Sequence, residues 1–326
     1  MKKLFKVSCL ALAVLAGASS LSAQGFGRRQ QEDPTGYKDT YKDYFTVGVA
    51  VNMRNVTDKD QIALIKKNFN SITAENDMKP VSLQPEEGKF NWANADKIAN
   101  FCRENNIPLR GHCLCWHSQF ADWMFVDKNG KDVSKEVFYE RLRTHIHAVV
   151  NRYKDVVYAW DVVNEAISGS DYDRDGYYDL QSAQWGDANC FYWQDYLGSE
   201  DYVRIAIAHA RKYYEQFGGT KPLKLFINDY NLESDWDDNR KLKSLIHWIQ
   251  KWESDGVTKI DGIGTQMHIS YYENQSTQRS KEEHVVRMFQ LMANTGKLVK
   301  ITELDMGYVD KNGNTVTIFE NGEWAI

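Results

Sequence analysis

At 326 residues, with 42% hydrophobic and 13% aromatic residues, the chain is long and apolar enough to fold around a sizeable core. This composition excludes a disordered chain and fits one large domain or two small ones. The formal net charge is −5, and an acidic surface argues against nucleic acid and anionic membrane surfaces as partners.

The N-terminus has the pattern of a secretory signal. Three lysines precede an apolar run from Leu10 to Leu21, and Leu21-Ser22-Ala23 is a plausible cleavage site. The apolar run is too short to remain as a membrane span. We therefore predict a signal peptide at residues 1–23, a flexible lead-in at 24–36 and one folded domain at 37–326. The signal predicts export to the periplasm, the cell surface or the medium.

Beyond the lead-in, predicted strands and helices alternate along the chain. Apolar, β-branched runs predict strands at Phe45–Val51, Ser71–Glu75, Leu109–Trp116, Tyr158–Glu165, Leu223–Asn228, Gly262–His268 and Leu298–Met306. Apolar residues at helical spacing predict helices at Thr57–Phe69, Asn94–Asn105, Ser134–Tyr153, Asp201–Phe217, Asp238–Asp255 and Lys281–Thr295.

This alternation predicts an α/β fold of parallel strands joined by right-handed helical crossovers. A doubly wound sheet that binds a nucleotide would place a glycine-rich turn after its first strand, and none is present. We therefore predict a (β/α)8 TIM barrel. Too few residues follow Asp305 for a further helix and an eighth strand–helix unit, so the barrel is expected to be truncated after the seventh strand.

Two of the predicted strands end in glutamates. Glu165 closes the fourth strand, and Glu303 lies near the end of the seventh, beside Asp305. The carboxyl ends of parallel strands carry the active sites of α/β enzymes. Hydrolysis of a glycosidic bond uses one carboxyl as an acid and another as a nucleophile or base. A single acid at a strand end can also cap a helix or pair with a lysine. Two glutamates at matching strand ends are therefore stronger evidence for a glycosidase active site than either glutamate alone.

Further polar residues fall on the same predicted rim. His268 and Gln266 are two residues apart on the sixth strand and therefore share a face, as Glu303 and Asp305 do on the seventh. A histidine between two acids would hold a nucleophile ionised and correctly oriented. A histidine that is simply hydrogen-bonded in the core is the plainer interpretation.

Two stretches have part of a metal-site pattern. In His112–His117, strand alternation separates the two cysteines from His112 and Trp116, so four zinc ligands would not converge. Asp171–Gly176 begins like a calcium loop, but Ser182 stands where the glutamate of the twelfth position would be. We expect no metal and no cofactor, and a solvated acidic loop at the second stretch.

Four cysteines remain once the leader is removed, namely Cys102, Cys113, Cys115 and Cys190. Their number permits disulfides in an oxidising compartment, but a domain of this size does not need them. Alternation along the third strand predicts that Cys113 and Cys115 face outward from the barrel interior.

Six stretches, in chain order, resemble the strand blocks of glycoside hydrolase family 10, a family of endo-β-1,4-xylanases. They are Phe69–Lys79, Arg110–Gln119, Trp160–Glu165, Ile227–Asn231, Gly264–His268 and Ile301–Asp305. The resemblance runs from about residue 42 to about residue 306, and six blocks in register are highly specific. It implies an enzyme that cleaves xylan and xylo-oligosaccharides internally, by a retaining double displacement. The sequence does not establish the oligomeric state, and we expect a monomer.

The resemblance also implies roles for individual residues. Glu165 would be the general acid/base and Glu303 the nucleophile. Catalytic support would come from Asn164 at the 2-hydroxyl of the cleaved sugar, from Gln266 at Glu165, and from His268 and Asp305 at Glu303. The glycone would be bound by Glu75, Asn76, Lys79, His112, Trp116 and Gln119, and Tyr230 would line the aglycone side. Since alternation points Asn164 away from Glu165, a bulge or twist at the strand end must re-aim the side chain.

The chain departs from the family pattern in three ways. Cys113 and Cys115 replace the more usual Thr and Val, and the long aromatic loop Ser168–Glu200 is expected to reshape the aglycone side. The family's eighth strand and its cleft-covering tryptophans are absent, so a non-catalytic xylan-binding barrel is the alternative function. A zinc hydrolase built on His112–His117 is a third interpretation.

Overall fold

Seven parallel strands and the helices between them form the frame of the molecule. The computed structural model describes residues 35–183, 192–219 and 221–316, together with the backbone of 319–320 and 323–324. The predicted signal peptide and nearly all of the predicted lead-in lie outside the described residues. Within the described residues, no helix is both long enough and apolar enough to cross a membrane.

The strands lie in one sheet in the order of the chain, each hydrogen-bonded to the next. They are β1 (Gly48–Val51), β2 (Ser71–Ala74), β3 (Leu109–Trp116), β4 (Val157–Asn164), β5 (Lys224–Tyr230), β6 (Gly262–Tyr272), β7 (Leu298–Val309) and β8 (Thr315–Val316). Neighbours from β1 to β7 are parallel, whereas β8 is antiparallel to the end of β7. A separate two-stranded pair follows, β9 (Phe319–Glu320) and β10 (Glu323–Trp324).

The helices fill the connections between the strands. They are α1 (Tyr37–Thr40), α2 (Lys59–Asn68), α3 (Pro80–Leu83), α4 (Ala93–Glu104), α5 (Lys135–Tyr153), α6 (Trp193–Leu197), α7 (Asp201–Gln216), α8 (Arg240–Glu253) and α9 (Gln275–Asn294), with a short 3-10 turn at Asp122–Met124. Side-chain caps begin three of them, because Asp58, Ser134 and Asn274 accept from backbone N–H groups in the first turns of α2, α5 and α9.

The predicted fold class is confirmed, and most predicted elements lie within a few residues of the observed ones. The bounds of β3 are those predicted. Larger differences occur late in the chain, where β6 continues to Tyr272 and β7 to Val309. Residues 269–272 of β6 pair with residues 306–309 of β7. The hydrogen bonds between the two strands therefore continue beyond the point where the apolar sequence pattern ends.

The curled sheet has two open edges in the described part of the chain. β1 pairs only with β2, and beyond β7 the sheet continues only as the two residues of β8, which bind Tyr308 and Val309. Apolar side chains of β7 are consequently exposed, Leu304 by 64% and Met306 by 50%. Such an arrangement is a strand edge that further chain could cover.

The core lies between the sheet and its helices, and β4 is buried along almost its whole length. Cys102, Cys113 and Cys115 are buried free thiols, while Cys190 lies outside the described residues. Cys115 belongs to the apolar core that also contains Tyr202 of α7, on the helix side of β3. Cys113 is also buried, at 1% exposure, but lies outside that core.

The prediction that Cys113 faces outward stays a prediction. The pairing of β3 with β4 shifts register between His112 and Cys115. Simple alternation of side chains is interrupted at that point, so the period-two pattern cannot be carried through the strand.

Gly111 of β3 faces the indole of Trp160 on β4. A Cβ at Gly111 would lie 2.1 Å from the ring of Trp160, which is itself only 1% exposed and cannot move aside. We expect Gly111→Ala to lower the free energy of unfolding by about 1–3 kcal/mol, measured by urea denaturation. The matched control is Gly48→Ala in β1, where the nearest atoms lie 3.7 Å away. Equal stability of the two variants would contradict the close packing of Gly111 against Trp160.

Candidate active site

Glu165 follows β4 directly, and its carboxyl is surrounded by N–H donors. Oε2 accepts from Trp116 Nε1 at 2.9 Å, and Oε1 accepts from Gln266 Nε2 at 2.9 Å and from Asn164 Nδ2 at 3.2 Å. His117 Nε2 lies 3.8 Å from Oε2. The Glu165 side chain is 14% exposed, so these contacts hold a carboxyl that solvent reaches only in part.

The end of β4 is reshaped so that consecutive residues face the same site. Glu165 has a left-handed φ of 58°, and the pairing with β5 shifts register between Asp161 and Val163. The backbone N–H of Glu165 donates to Asn228 O at 2.7 Å. Asn164 Oδ1 accepts from Asn228 Nδ2 at 2.8 Å and from Gln266 Nε2 at 3.2 Å. These contacts keep Asn164 beside Glu165 rather than on the opposite face.

Glu303 lies on β7, opposite Gln266 in the parallel pairing of β6 and β7. Its Oε2 lies 3.0 Å from His268 Nε2, and His268 Nδ1 lies 2.7 Å from Asp305 Oδ2. The side chain of Glu303 is 37% exposed, so this carboxyl is more open to solvent than that of Glu165. The imidazole thus bridges the two acids of β7.

The pKa of His268 is raised. Partial burial acts to lower this pKa, but the hydrogen bonds and charges of Asp305 and Glu303 outweigh the burial. The imidazolium form is favoured between the two carboxylates.

Several of the residues expected at the glycone side contact one another. Lys79 Nζ donates to Asn76 Oδ1 at 2.9 Å and lies 5.1 Å from the centroid of the Trp116 ring. Glu75 is exposed at the end of β2, where its backbone N–H binds Val51 O. Trp116 connects this cluster to Glu165, because its indole N–H donates to the Glu165 carboxyl.

The remaining predicted residues take three separate positions. Gln119 is exposed and has a left-handed φ of 52°. His112 is buried and contacts Asp161 Oδ2 through Nδ1 at 2.8 Å. Tyr230 lies at the end of β5, apart from the cluster around Trp116, with Lys241 Nζ 3.2 Å from its ring centroid.

A buried charge pair lies under His112. Arg110 Nε donates to Asp161 Oδ1 at 3.2 Å, and burial lowers the pKa of Arg110 to about 10, which keeps the guanidinium charged at neutral pH. Burial, together with the charges of Arg110 and Lys79, holds the pKa of His112 well below its usual value. A neutral His112 that donates from Nδ1 to Asp161 leaves Nε2 as an acceptor.

Three contributors were missed in the sequence. His117 is next to the predicted Trp116, and burial lowers its pKa although the charge of Glu165 opposes this. Asn228, which binds Asn164, is the last residue of the predicted fifth strand and could have been selected by the strand-end rule that selected Glu165. The end of the long loop also contributes, because Trp193 Nε1 donates to Trp116 O at 2.9 Å. Residues 184–191 of this loop lie outside the described residues.

The acidic loop brings Asp171, Asp173 and Asp179 together, with carboxylate oxygens within 4.8 Å of one another. The third carboxylate of this cluster belongs to Asp179 and not to Asp175, whose carboxylate accepts from Tyr177 N. Asp171 forms an ion pair with Arg240, so the protein itself supplies one positive charge to the cluster.

The contacts of His268 predict a pH-dependent stability. Because folding raises its pKa, the stabilisation is complete below the ordinary histidine value of about 6.5 and is lost as the pH rises through the raised value. We expect the difference in Tm between the wild-type chain and His268→Gln to shrink from about pH 5.5 to about pH 8.5, followed by thermal unfolding. A difference in Tm that is constant across this pH range would contradict the pairing of His268 with Glu303 and Asp305.

Comparisons with known proteins agree with this geometry. The sequence model of glycosyl hydrolase family 10 matches residues 36–320. An endo-1,4-beta-xylanase/feruloyl esterase of Xylanibacter ruminicola is 44% identical over 324 residues, which is 99% of this chain and 41% of that protein. Endo-1,4-beta-xylanase A of Caldicellulosiruptor saccharolyticus is 36% identical over 281 residues, 86% of this chain and 73% of that protein.

A solved structure, that of a psychrophilic glycoside hydrolase family 10 endo-beta-1,4-xylanase, superimposes with a TM-score of 0.71 and 40% identity. The match covers 88% of this chain and 77% of that one. This chain spans less than half the length of the Xylanibacter protein. From the family model, the relatives and the fold together, the chain belongs to glycosyl hydrolase family 10.

Proposed function

We propose that this chain hydrolyses internal β-1,4-xylosidic bonds of xylan and xylo-oligosaccharides with retention of configuration. The observation that carries the proposal is a pair of rim carboxyls with different partners. Glu165 is held by three N–H donors, and Glu303 is bonded to an imidazole shared with Asp305. The relative at 44% identity is named endo-1,4-beta-xylanase/feruloyl esterase and the relative at 36% identity endo-1,4-beta-xylanase A, which supports xylan as the substrate.

In the first step, Glu303 is the nucleophile. Its carboxylate oxygen forms a bond to the anomeric carbon while the glycosidic C–O bond breaks, and Glu165 donates a proton to the departing oxygen. His268 orients the attacking carboxylate through its hydrogen bond. Asn164, whose Oδ1 accepts from Asn228, binds the 2-hydroxyl of the cleaved sugar in this proposal.

In the second step, the glycosyl–enzyme ester is hydrolysed. Glu165, now ionised, accepts a proton from a water molecule whose oxygen bonds to the anomeric carbon, and the ester bond to Glu303 breaks. Two inversions at the same carbon retain the configuration. Gln266, Asn164 and Trp116 hold the Glu165 carboxyl in one orientation through both steps.

The first test is an assay on linear xylan with product sizes followed over time. An endo-acting enzyme releases mixed short oligomers early, whereas a chain that binds xylan without cleaving it releases none. The zinc-hydrolase interpretation predicts loss of activity with EDTA, so cleavage that EDTA leaves unchanged would eliminate it.

Substitution of the two glutamates provides a sharper test. We expect Glu165→Gln to lower kcat/KM on xylotetraose by about 10²–10⁴-fold, because general acid catalysis is lost. Glu303→Ala should lower it by at least about 10³-fold, because the nucleophile is lost. The control is Glu86→Gln, which removes an exposed surface carboxyl paired with Lys89. Wild-type activity in either active-site variant would refute the assignment.

We also propose that residues 1–23 direct export and are removed, leaving a lead-in at 24–36 before the catalytic domain at 37–326. The proposal rests on the lysines and the apolar run at the N-terminus. Mass spectrometry of the protein from the periplasm and the medium should find a chain that begins near Gln24. Recovery of only the full-length chain from the cytoplasm would refute it.

A further inference from the structure

One charged pair near the site is buried and has no part in the steps above. Lys241 on α8 is 3% exposed, and Asp229 on β5 is fully buried. Lys241 Nζ lies 2.9 Å from Asp229 Oδ1 and 3.2 Å from the ring centroid of Tyr230. Among the described residues it has no other partner. Burying two charges is costly, so such a pair calls for a local reason.

Asp229 connects this pair to the segment that carries Glu165. Its Oδ2 accepts from the backbone N–H of Ile167 at 3.0 Å, and its Oδ1 accepts from Tyr230 N at 2.9 Å. Ile167 is only two residues beyond Glu165, whose own N–H binds the neighbouring Asn228. The end of β5 therefore binds the Glu165–Ile167 segment at both of its ends.

The backbone of this segment needs such support. Glu165 has a left-handed φ of 58°, a conformation that residues other than glycine adopt at a cost. Without a fixed contact at Ile167, the segment would relax toward a more usual conformation and move the carboxyl. Burial raises the pKa of Asp229 and the charge of Lys241 opposes that rise, so the lysine favours the ionised, strongly accepting form.

We propose that Lys241 is a positioning residue for the acid/base Glu165, acting through Asp229 and the backbone of Ile167. The proposal rests on the function proposed above. It predicts a defect confined to proton transfer at the leaving group, because the contacts of Glu303 lie on β6 and β7 and do not involve the pair.

The kinetic test compares two leaving groups. We expect Lys241→Met to lower kcat/KM on xylotetraose by about 10–100-fold, since a displaced acid transfers its proton poorly. On 2,4-dinitrophenyl β-xylobioside, whose leaving group departs without a proton, kcat/KM should change less than about twofold. The control, Lys243→Met, removes a neighbouring lysine on α8 that is 38% exposed and paired with Asp238. It should change neither value.

A second variant covers the case in which Lys241→Met does not fold because Asp229 is left buried without a partner. The double variant Lys241→Met, Asp229→Asn is close in size and has no buried charge. It should show the same selective defect, with a Tm closer to that of the wild-type chain. A parallel loss on both substrates in the folded variants, or no loss on either, would overturn the proposal.

A readout independent of activity separates this proposal from the proposed function. The indole N–H of Trp116 donates to Glu165, so its ¹H–¹⁵N signal, assigned with Trp116→Phe, reports the position of the carboxyl. We expect this signal to move in Lys241→Met and in the double variant but not in Lys243→Met. An unmoved signal would overturn the positioning role. A wild-type chain that cleaves neither substrate would refute the proposed function alone, and the Trp116 signal would still decide the role of Lys241.

Discussion

The convergence of N–H donors on the Glu165 carboxyl is the interaction on which the rest of the site depends. Trp116 comes from β3, Asn164 from β4 and Gln266 from β6, while β5 binds the backbone of Glu165 through Asn228. These groups meet because parallel strands of a barrel end at one rim. Four successive strands must therefore keep their register for one carboxyl to be held.

The two carboxyls differ in how much of the fold supports them. Glu165 is 14% exposed and is bound by residues of β3, β4 and β6, whereas Glu303 is 37% exposed and is bonded to His268 of β6. On the outer side of β7, Leu304 and Met306 are open to solvent. The pairing of β6 with β7, continued to Tyr272 and Val309, is what keeps Glu303 opposite Gln266. The Glu165 half of the site thus lies in the packed part of the sheet and the Glu303 half at its edge.

Apolar patterning was enough to predict the strands and the strand-end polar residues. It failed where the backbone leaves the regular strand. The left-handed φ of Glu165 cannot be predicted for a residue other than glycine, and the register shift between His112 and Cys115 interrupts the alternation that the sequence predicts. Lys241 was missed because a lysine in an amphipathic helix is usually at the surface, and only the fold brings it to Asp229. The extensions of β6 and β7 were missed because they are stabilised by pairing with each other rather than by burial.

The central claim is that Glu303 is a nucleophile although it lies at the edge of the sheet. It is tested most directly by incubating the wild-type chain with 2,4-dinitrophenyl 2-deoxy-2-fluoro-β-xylobioside, which slows hydrolysis of a glycosyl–enzyme ester. Mass spectrometry of the intact chain and of its peptides would then locate the label. The account predicts one fluoroxylobiosyl group, attached to the peptide that contains Glu303. A label on another residue, or a chain that turns over xylan but never carries a label, would contradict it.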